Sequence, residues 1–372
     1  MRYRKLVGCA AVMLALTLAS PGLVFAQPAP PPPSPSLDPE DLLERSEAFE
    51  VEDPDEATRI GNELAAEAAA QAGPGARALA EPGCYNDRFR SCKTYGAVIT
   101  QVVIPRPGAP EEVIGIWKVD MTIQVTSQLQ NVASTVGFIG RVSVQYGSPI
   151  AGTFTMNVSA QKPGQNFGQP IGAPVTFPLS AGTLKTHTYP QVFSPVTVDD
   201  NTWSTFLTYD WTNTTPVPQQ YPPPGTQITT QRIRCDSAPY LQKGSGCVNP
   251  SYKPIIGFPS YIYPYISQNI QNGQQNGLGA PGIEPLRRGT PGDTTNRDAA
   301  CTTANRNKLG TPDPAIIDPE CDEYPFNSSL EGGSLATVAW VPRSENQLQA
   351  QRIREFYSAY RLMTYDDFYV QP

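Results

Sequence analysis

Proline sets the first limit on what this chain can become. Forty prolines are spread over 372 residues, and a proline neither donates to a helix or sheet ladder nor fits inside a helix. The chain is therefore cut into short elements, and its Gly, Asn, Gln, Ser and Thr favour turns and strands over long helices. Between the prolines lie β-branched or alternating runs: Val98 to Val103, Ile114 to Val125, Thr135 to Tyr146, Gly152 to Ala160, Trp203 to Thr212 and Gln227 to Ile233. Turn signals such as Pro105-Arg106-Pro107-Gly108 and Gln161-Lys162-Pro163-Gly164 separate them. Serial short strands with regular turns predict an antiparallel β-sandwich. A proline-rich break from Pro216 to Pro224, then the loop from Cys235 to Cys247, places its end near residue 250.

Residues 1–26 read as a secretory signal, with Arg2, Arg4 and Lys5 as the basic start, Val12 to Leu18 as the apolar run, and Val24-Phe25-Ala26 before the cleavage point. The apolar run is too short for a spanning helix and runs into prolines. A secreted chain with no stable membrane insertion after signal removal is expected. Residues 27–36 predict an extended proline-rich linker. From there to residue 80 the chain is acidic, then alanine-rich with a thin apolar face, so residues 27–80 are expected to be a disordered spacer or propeptide. An acidic cover for the active site is the sharper alternative. The formal charge of −7 becomes about −10 once the signal leaves, and Leu37 to Glu67 alone carries about −10. The rest is near neutral, without the basic footprint of a tight nucleic-acid binder.

Cys9 belongs to the signal, which leaves Cys84, Cys92, Cys235, Cys247, Cys301 and Cys321. An even count in an exported chain reads as disulfides, and of fifteen formal connectivities, closeness in sequence favours Cys84 with Cys92, Cys235 with Cys247 and Cys301 with Cys321. Zinc is the alternative, but there is no Cys-x-x-Cys. The lone histidine, His187, lies elsewhere and reads as a surface or pairing residue on a strand.

Past residue 250, the aromatic run from Phe258 to Ile266 suits a small core or interface better than base stacking, because nothing basic is interleaved with it. Ile266 to Asn272 predicts a short helix. Arg287, Arg288, Arg297 and Arg306, with Lys308, form the densest positive cluster and are candidates for phosphate contact; a solvated loop partnered by Asp293 and Asp298 is the alternative. Next, Cys321-Asp322-Glu323-Tyr324-Pro325-Phe326 and Glu331-Gly332-Gly333 concentrate three carboxylates around an aromatic and proline pair. Leu335 to Val341 reads as a strand ended by Pro342. Ser344 and Gln347 then predict a capping box opening a helix. On that helix Ile353, Phe356, Tyr357 and Tyr360 make an apolar stripe, Asn346 and Gln349 fall on the same side, and Glu355 lies opposite.

This pattern, with Ser344-Glu345-Asn346, resembles the NucA/NucB family of secreted deoxyribonucleases over roughly residues 255 to 370. The resemblance implies a strand-strand-helix metal fold cutting DNA endonucleolytically with little sequence preference. It implies Asp322 as the residue that activates water, Glu323 and Glu331 as the other catalytic acids, and Asn346 as a metal ligand. Carboxylate and amide oxygens suit Mg²⁺ or Mn²⁺. An aspartate with an ordinary pKa near 4 needs partial burial or a neighbouring carboxylate to become a useful base. Two positions depart from the family: Asn269-Ile270 stands where many relatives have a histidine followed by isoleucine, and Gln349-Ala350-Gln351 where a glycine often follows the glutamine.

The expected fold class is α+β, with an antiparallel β-sandwich accessory domain over residues 81–250 and a small α+β nuclease domain over residues 251–372. DNA is the expected partner, with no obligate protein partner. The alternatives are an inactive nuclease fold acting as an extracellular binding module, and a toxin-like secreted effector.

Overall fold

The computed structural model describes residues 42–72, 84–103, 109–162, 169–193, 201–213, 219–221 and 226–372. The secretory signal, the linker at 27–36 and the turn at 105–108 lie outside them. The N-terminal elements are β1 (Leu42–Glu50), α1 (Pro54–Ala72), β2 (Arg90–Val103), β3 (Glu112–Gln128), β4 (Asn131–Gly147), β5 (Gly152–Gln161), β6 (Gln169–Pro170), β7 (Val175–Leu179), β8 (Leu184–Val192), β9 (Asn201–Asn213), β10 (Gln219–Tyr221), β11 (Thr226–Asp236) and β12 (Gly246–Val248). After these come β13 (Ile255–Gly257), α2 (Pro264–Gly273), β14 (Leu286–Arg287), α3 (Thr295–Ala300) and α4 (Thr303–Leu309). The last are β15 (Pro319–Tyr324), β16 (Thr337–Pro342), α5 (Arg343–Ala359) and β17 (Asp367–Gln371).

Each run read as a strand before residue 250 is one and is extended beyond its apolar run, while the run from Leu335 to Val341 becomes a strand only from Thr337. Once a partner supplies the ladder, pairing continues through polar residues, as in β2, which pairs with β3 from Arg90 to Val103. One six-stranded sheet has the order β10-β1-β2-β3-β4-β8, and the other runs β12-β11-β9-β5-β6 with β7 also paired to β5. The pairings are antiparallel except that of β1 with β10. Alternate residues of both sheets meet in one buried cluster that includes Tyr95, Val119, Phe138, Phe154, Phe177, Tyr209 and Trp211. Phe154 contacts Phe177 and Tyr209 at ring distances of 5.1 and 5.3 Å. His187 is an exposed residue of β8, opposite Phe138 and edge-on to Tyr189.

The acidic stretch is not a solvated spacer within its described part. Strand β1 pairs with β2 from Leu42 opposite Val103 to Glu50 opposite Tyr95. Helix α1 buries Ile60, Leu64, Ala65 and Ala68 against the outer face of that sheet, where Thr94 Oγ1 donates to Ala57 O at 2.9 Å and Arg141 donates to Glu67 at 3.4 Å. A thin apolar face suffices because the surface it covers is itself half polar. At Gly61 the helix comes so close to the Cys84–Cys92 bridge that an added Cβ would lie 2.5 Å from Cys84 Cβ. All three disulfides pair as the spacing favoured: Cys84–Cys92, Cys235–Cys247 and Cys301–Cys321.

Beyond residue 250, β13-β17-β14 form a three-stranded sheet in which β13 and β17 run parallel, and β15 and β16 form an antiparallel pair. Phe258, Ile266, Ile270, Tyr324, Phe326, Ile353, Phe356 and Phe368 belong to a second core. The aromatic run thus serves as core filler, apart from the exposed Tyr261. The Ser344 capping box does not form: α5 begins at Arg343 with Pro342 as its N-cap and no side-chain cap. Because β16 passes into α5 without a loop, Ser344 is already inside the helix.

From Asp38 to the end the chain is one compact unit. Side chains beyond residue 350 and around residues 88 and 236 interlock: Arg361 bonds Asp236, and Asp366 receives Arg88 and Arg234. Among the described residues no helix is long and apolar enough to cross a membrane.

Leu64→Ala is predicted to lower the unfolding free energy by about 2–4 kcal/mol, read from a denaturant midpoint, because it opens a gap under α1. An unchanged midpoint is the outcome expected of a detached spacer.

Candidate active site

Strand β15 carries the two adjacent acids, and strand geometry sends them to opposite faces. Glu320, Asp322 and Tyr324 point one way, Cys321 and Glu323 the other. The strand is pinned at both ends. The Cys301–Cys321 bridge fixes its start. At its end Tyr324 donates to Leu278 O at 3.1 Å, accepts from Gln274 at 3.0 Å, and packs edge-on against Phe326 at 5.3 Å. The Glu331-Gly332-Gly333 segment turns tightly behind it: an added Cβ at Gly332 would lie 2.7 Å from Phe326 O, and Gly333 has φ of +102°.

Asp322 is buried beneath α2 and α5. Asn269 of α2 donates to its Oδ2 at 2.9 Å. Gln349 of α5 also favours its charged form, although the buried Gln349 Nε2 makes no well-formed hydrogen bond. Burial is the larger effect and pushes Asp322 up to about 6, against the pull of Asn269, the Glu323 backbone, Gln349 and Arg297. Glu323 is pushed up to about 7, first by burial and second by the neighbouring charge of Asp322, with Arg297 opposing. Its Oε2 lies 3.7 Å from Cys301 Sγ, a contact and not a hydrogen bond because that sulfur carries no proton.

Asn346 sits in the first turn of α5. Its Nδ2 donates to Glu320 at 2.8 Å, while its Oδ1 receives no hydrogen bond among the described residues. The neighbouring Glu345 turns to α2, where its carboxylate accepts from Ile266 N at 2.8 Å and satisfies that helix's N-terminus. A cavity of about 450 Å³ opens here, lined among others by Glu323, Asn346, Gln349, Arg297, Arg288 and Tyr240.

The other candidates fall in different places. Arg297 lines the cavity, has no ion pair among the described residues, and influences both acids electrostatically. Arg288 lines it too but is buried, donates to Leu362 O and lies between the rings of Tyr240 and Tyr357. Glu331 is not in the lining: both its oxygens hold Arg287, at 2.9 Å to the backbone N and 2.8 Å to Nε. Arg306 is exposed on α4, away from the lining. Asn269 was visible in the sequence only as a departure, yet it touches the central acid. Glu345 and Glu320 gave no signal apart from standing next to candidates.

Residues 284–371 match the family described as deoxyribonuclease NucA/NucB. The matched segment contains β15, β16, α5 and Arg287, Arg288, Arg297 and Arg306, while Asn269 lies outside it. No curated protein matches the chain.

The raised pKa values have a consequence for stability. Asp322 and Glu323 bind protons more tightly folded than unfolded, so their contribution to stability is fully present below their ordinary pKa values and is lost as pH rises through about 6 and 7. In chelator, Asp322→Asn is therefore predicted to be more stable than the parent at pH 8, by roughly 2 kcal/mol, with the gap closing toward pH 4. Thermal melts across this range measure it. A parent more stable than Asp322→Asn at pH 8 would reverse the sign.

Proposed function

We propose that the chain is a secreted, metal-dependent endonuclease that hydrolyses DNA phosphodiester bonds with little sequence preference. The observation that carries the reading is a cavity inside the matched segment lined by Glu323, Asn346 and Gln349, with the adjacent acid Asp322 buried behind it against Asn269. The secretory signal and three disulfides support export.

No group of three His, Cys, Asp or Glu side chains able to hold a metal occurs among the described residues, so a zinc-type cage does not fit. An ion such as Mg²⁺ keeps several waters and needs only one or two protein oxygens. Glu323 and the unbonded Asn346 Oδ1 fit that demand and would hold it. Bound there, it would neutralise charge on the phosphoryl group and the departing 3′-oxygen.

The chain's own residues supply the rest. Asp322 accepts the proton of the attacking water, a role suited to a carboxyl whose pKa lies near 6 and not near 4. Asn269 fixes the orientation of that carboxylate. Arg297, with no ion-pair partner among the described residues, takes a phosphate oxygen. Glu331 acts from outside, holding Arg287 and the turn behind β15. A near-neutral body suits an enzyme that must release its product.

One observation favours a second reading, a nuclease fold that binds without cutting: Asn269 stands where many relatives have a histidine, and an amide cannot take a proton.

The full mature chain is predicted to nick supercoiled plasmid in Mg²⁺ or Mn²⁺ and to stop in EDTA. Asp322→Ala and Asn346→Ala should each lose about 100-fold or more, and Glu331→Ala about tenfold or less with a lower melting temperature. No nicking in any metal by a chain that still retains DNA would establish the second reading. Equal nicking by Asp322→Ala would remove Asp322 from the site.

A further inference from the structure

The cavity at Glu323 and Asn346 extends beyond the matched segment. Tyr240, Arg288, Arg354 and Tyr357 line both it and an adjoining cavity of about 550 Å³, whose far side is the clasp between β11 and β12, including Lys243. That clasp is rigidly set. The Cys235–Cys247 bridge closes it, Arg361 donates to Gly244 O at 2.9 Å, and Ser358 of α5 donates to Leu241 O at 2.7 Å. Tyr240 stands with its ring 4.9 Å from the Arg288 guanidinium and 38% of its surface exposed.

The groove lining holds four cations, Arg288, Arg297, Arg354 and Lys243, against three acids, Asp293, Glu323 and Glu355. Arg297, Arg354 and Lys243 have no ion pair among the described residues. Of the acids outside the site, Asp293 is held by the backbone N and Oγ1 of Thr295 at 2.9 and 2.7 Å, and Glu355 accepts from Gln351 at 2.7 Å. Cations spaced along a groove beside an exposed ring are the features that bind a nucleic-acid strand, phosphates on the cations and a base on the ring. An acidic peptide would use the cations but not the ring.

We propose that the clasp, outside the nuclease-like segment, extends its substrate site: one DNA strand with a phosphate at Glu323 and Asn346 continues along α5, past Arg354, to Lys243 and Tyr240. The proposal rests on the nuclease reading and assigns a substrate-binding role to the sheet half of the chain.

The test uses the full mature chain carrying Asp322→Ala, so that nothing is cut, with Ca²⁺ present and a short fluorescent single-stranded oligonucleotide as probe. Adding Lys243→Glu with Arg354→Glu should weaken binding at least tenfold and flatten the dependence on salt by roughly 1 to 2 in slope. Adding Tyr240→Ala should weaken it by about 5- to 100-fold with the salt slope kept. Arg352→Glu, on the same helix but outside both cavities, should change binding less than threefold. Losses no greater than that of Arg352→Glu would overturn the proposal, as would polyglutamate competing as well as DNA, or no binding by the Asp322→Ala chain. Nicking by the parent chain separates the two claims: a parent that nicks while the clasp variants bind normally leaves the nuclease reading standing and removes only the extension.

Discussion

Arg361 and Asp236 form a buried ion pair that fastens the two halves of the chain, and much of the site's geometry follows from it. Both side chains are fully enclosed, and Arg361 also donates to Leu129 O at 2.8 Å and Gly244 O at 2.9 Å. Beside it Asp366 receives Arg88 at 2.6 Å and Arg234, while Arg88 reaches Tyr360 O at 2.7 Å. Burial pulls Arg88 down to about 10, which still leaves it cationic at neutral pH. Burial alone would raise Asp366, but Arg234 and Arg88 outweigh it and hold it below the usual carboxylate range. Removing one partner of such a set strands a charge and costs several kcal/mol. The ends of β2, β11 and α5 are therefore held as one body. The sheets are a mount for α5, the helix that presents Asn346 and Gln349.

At the site the balance is reversed. In the mount opposite charges face each other, three arginines around Asp236 and Asp366, whereas Asp322 and Glu323 are adjacent, enclosed and of the same sign, with Arg297 the nearby cation. A folded chain that keeps such a pair gives up stability at neutral pH, and that sacrifice is characteristic of groups kept for chemistry. The rigid surround is what makes it tolerable. A disulfide ties β15 at Cys321, an aromatic anchor ends it at Tyr324, and Asn269 clamps Asp322 from α2.

Much of this was legible in the sequence because local patterns carried it. Alternation marked β2, β3, β4, β5, β9 and β11, and helical spacing put Asn346, Gln349, Ile353 and Phe356 on the inward face of α5. Cysteine spacing gave the bridges. What stayed hidden depended on long-range contact. Helix α1 looked solvated because its apolar face is thin, and only the half-polar surface beneath it shows that little is needed. Ser344 matched a capping pattern, but a strand running straight into the helix left no room for a cap. Arg287 and Glu331 read as members of a phosphate cluster and a catalytic set, and instead they satisfy each other across 44 residues. Tyr240 and Lys243 carried no signal, since nothing in a disulfide loop indicates that it borders a cavity built mainly from residues between Arg288 and Tyr357.

The central claim, that Glu323 and Asn346 hold a divalent ion beside a base at Asp322, is tested most directly by anomalous diffraction from crystals soaked in Mn²⁺. One strong peak is expected in the cavity, within coordination distance of a Glu323 carboxylate oxygen and Asn346 Oδ1, and is expected to be lost in Asn346→Ala. A peak bound by other residues, or none in crystals of a chain that nicks DNA with Mn²⁺, would contradict it.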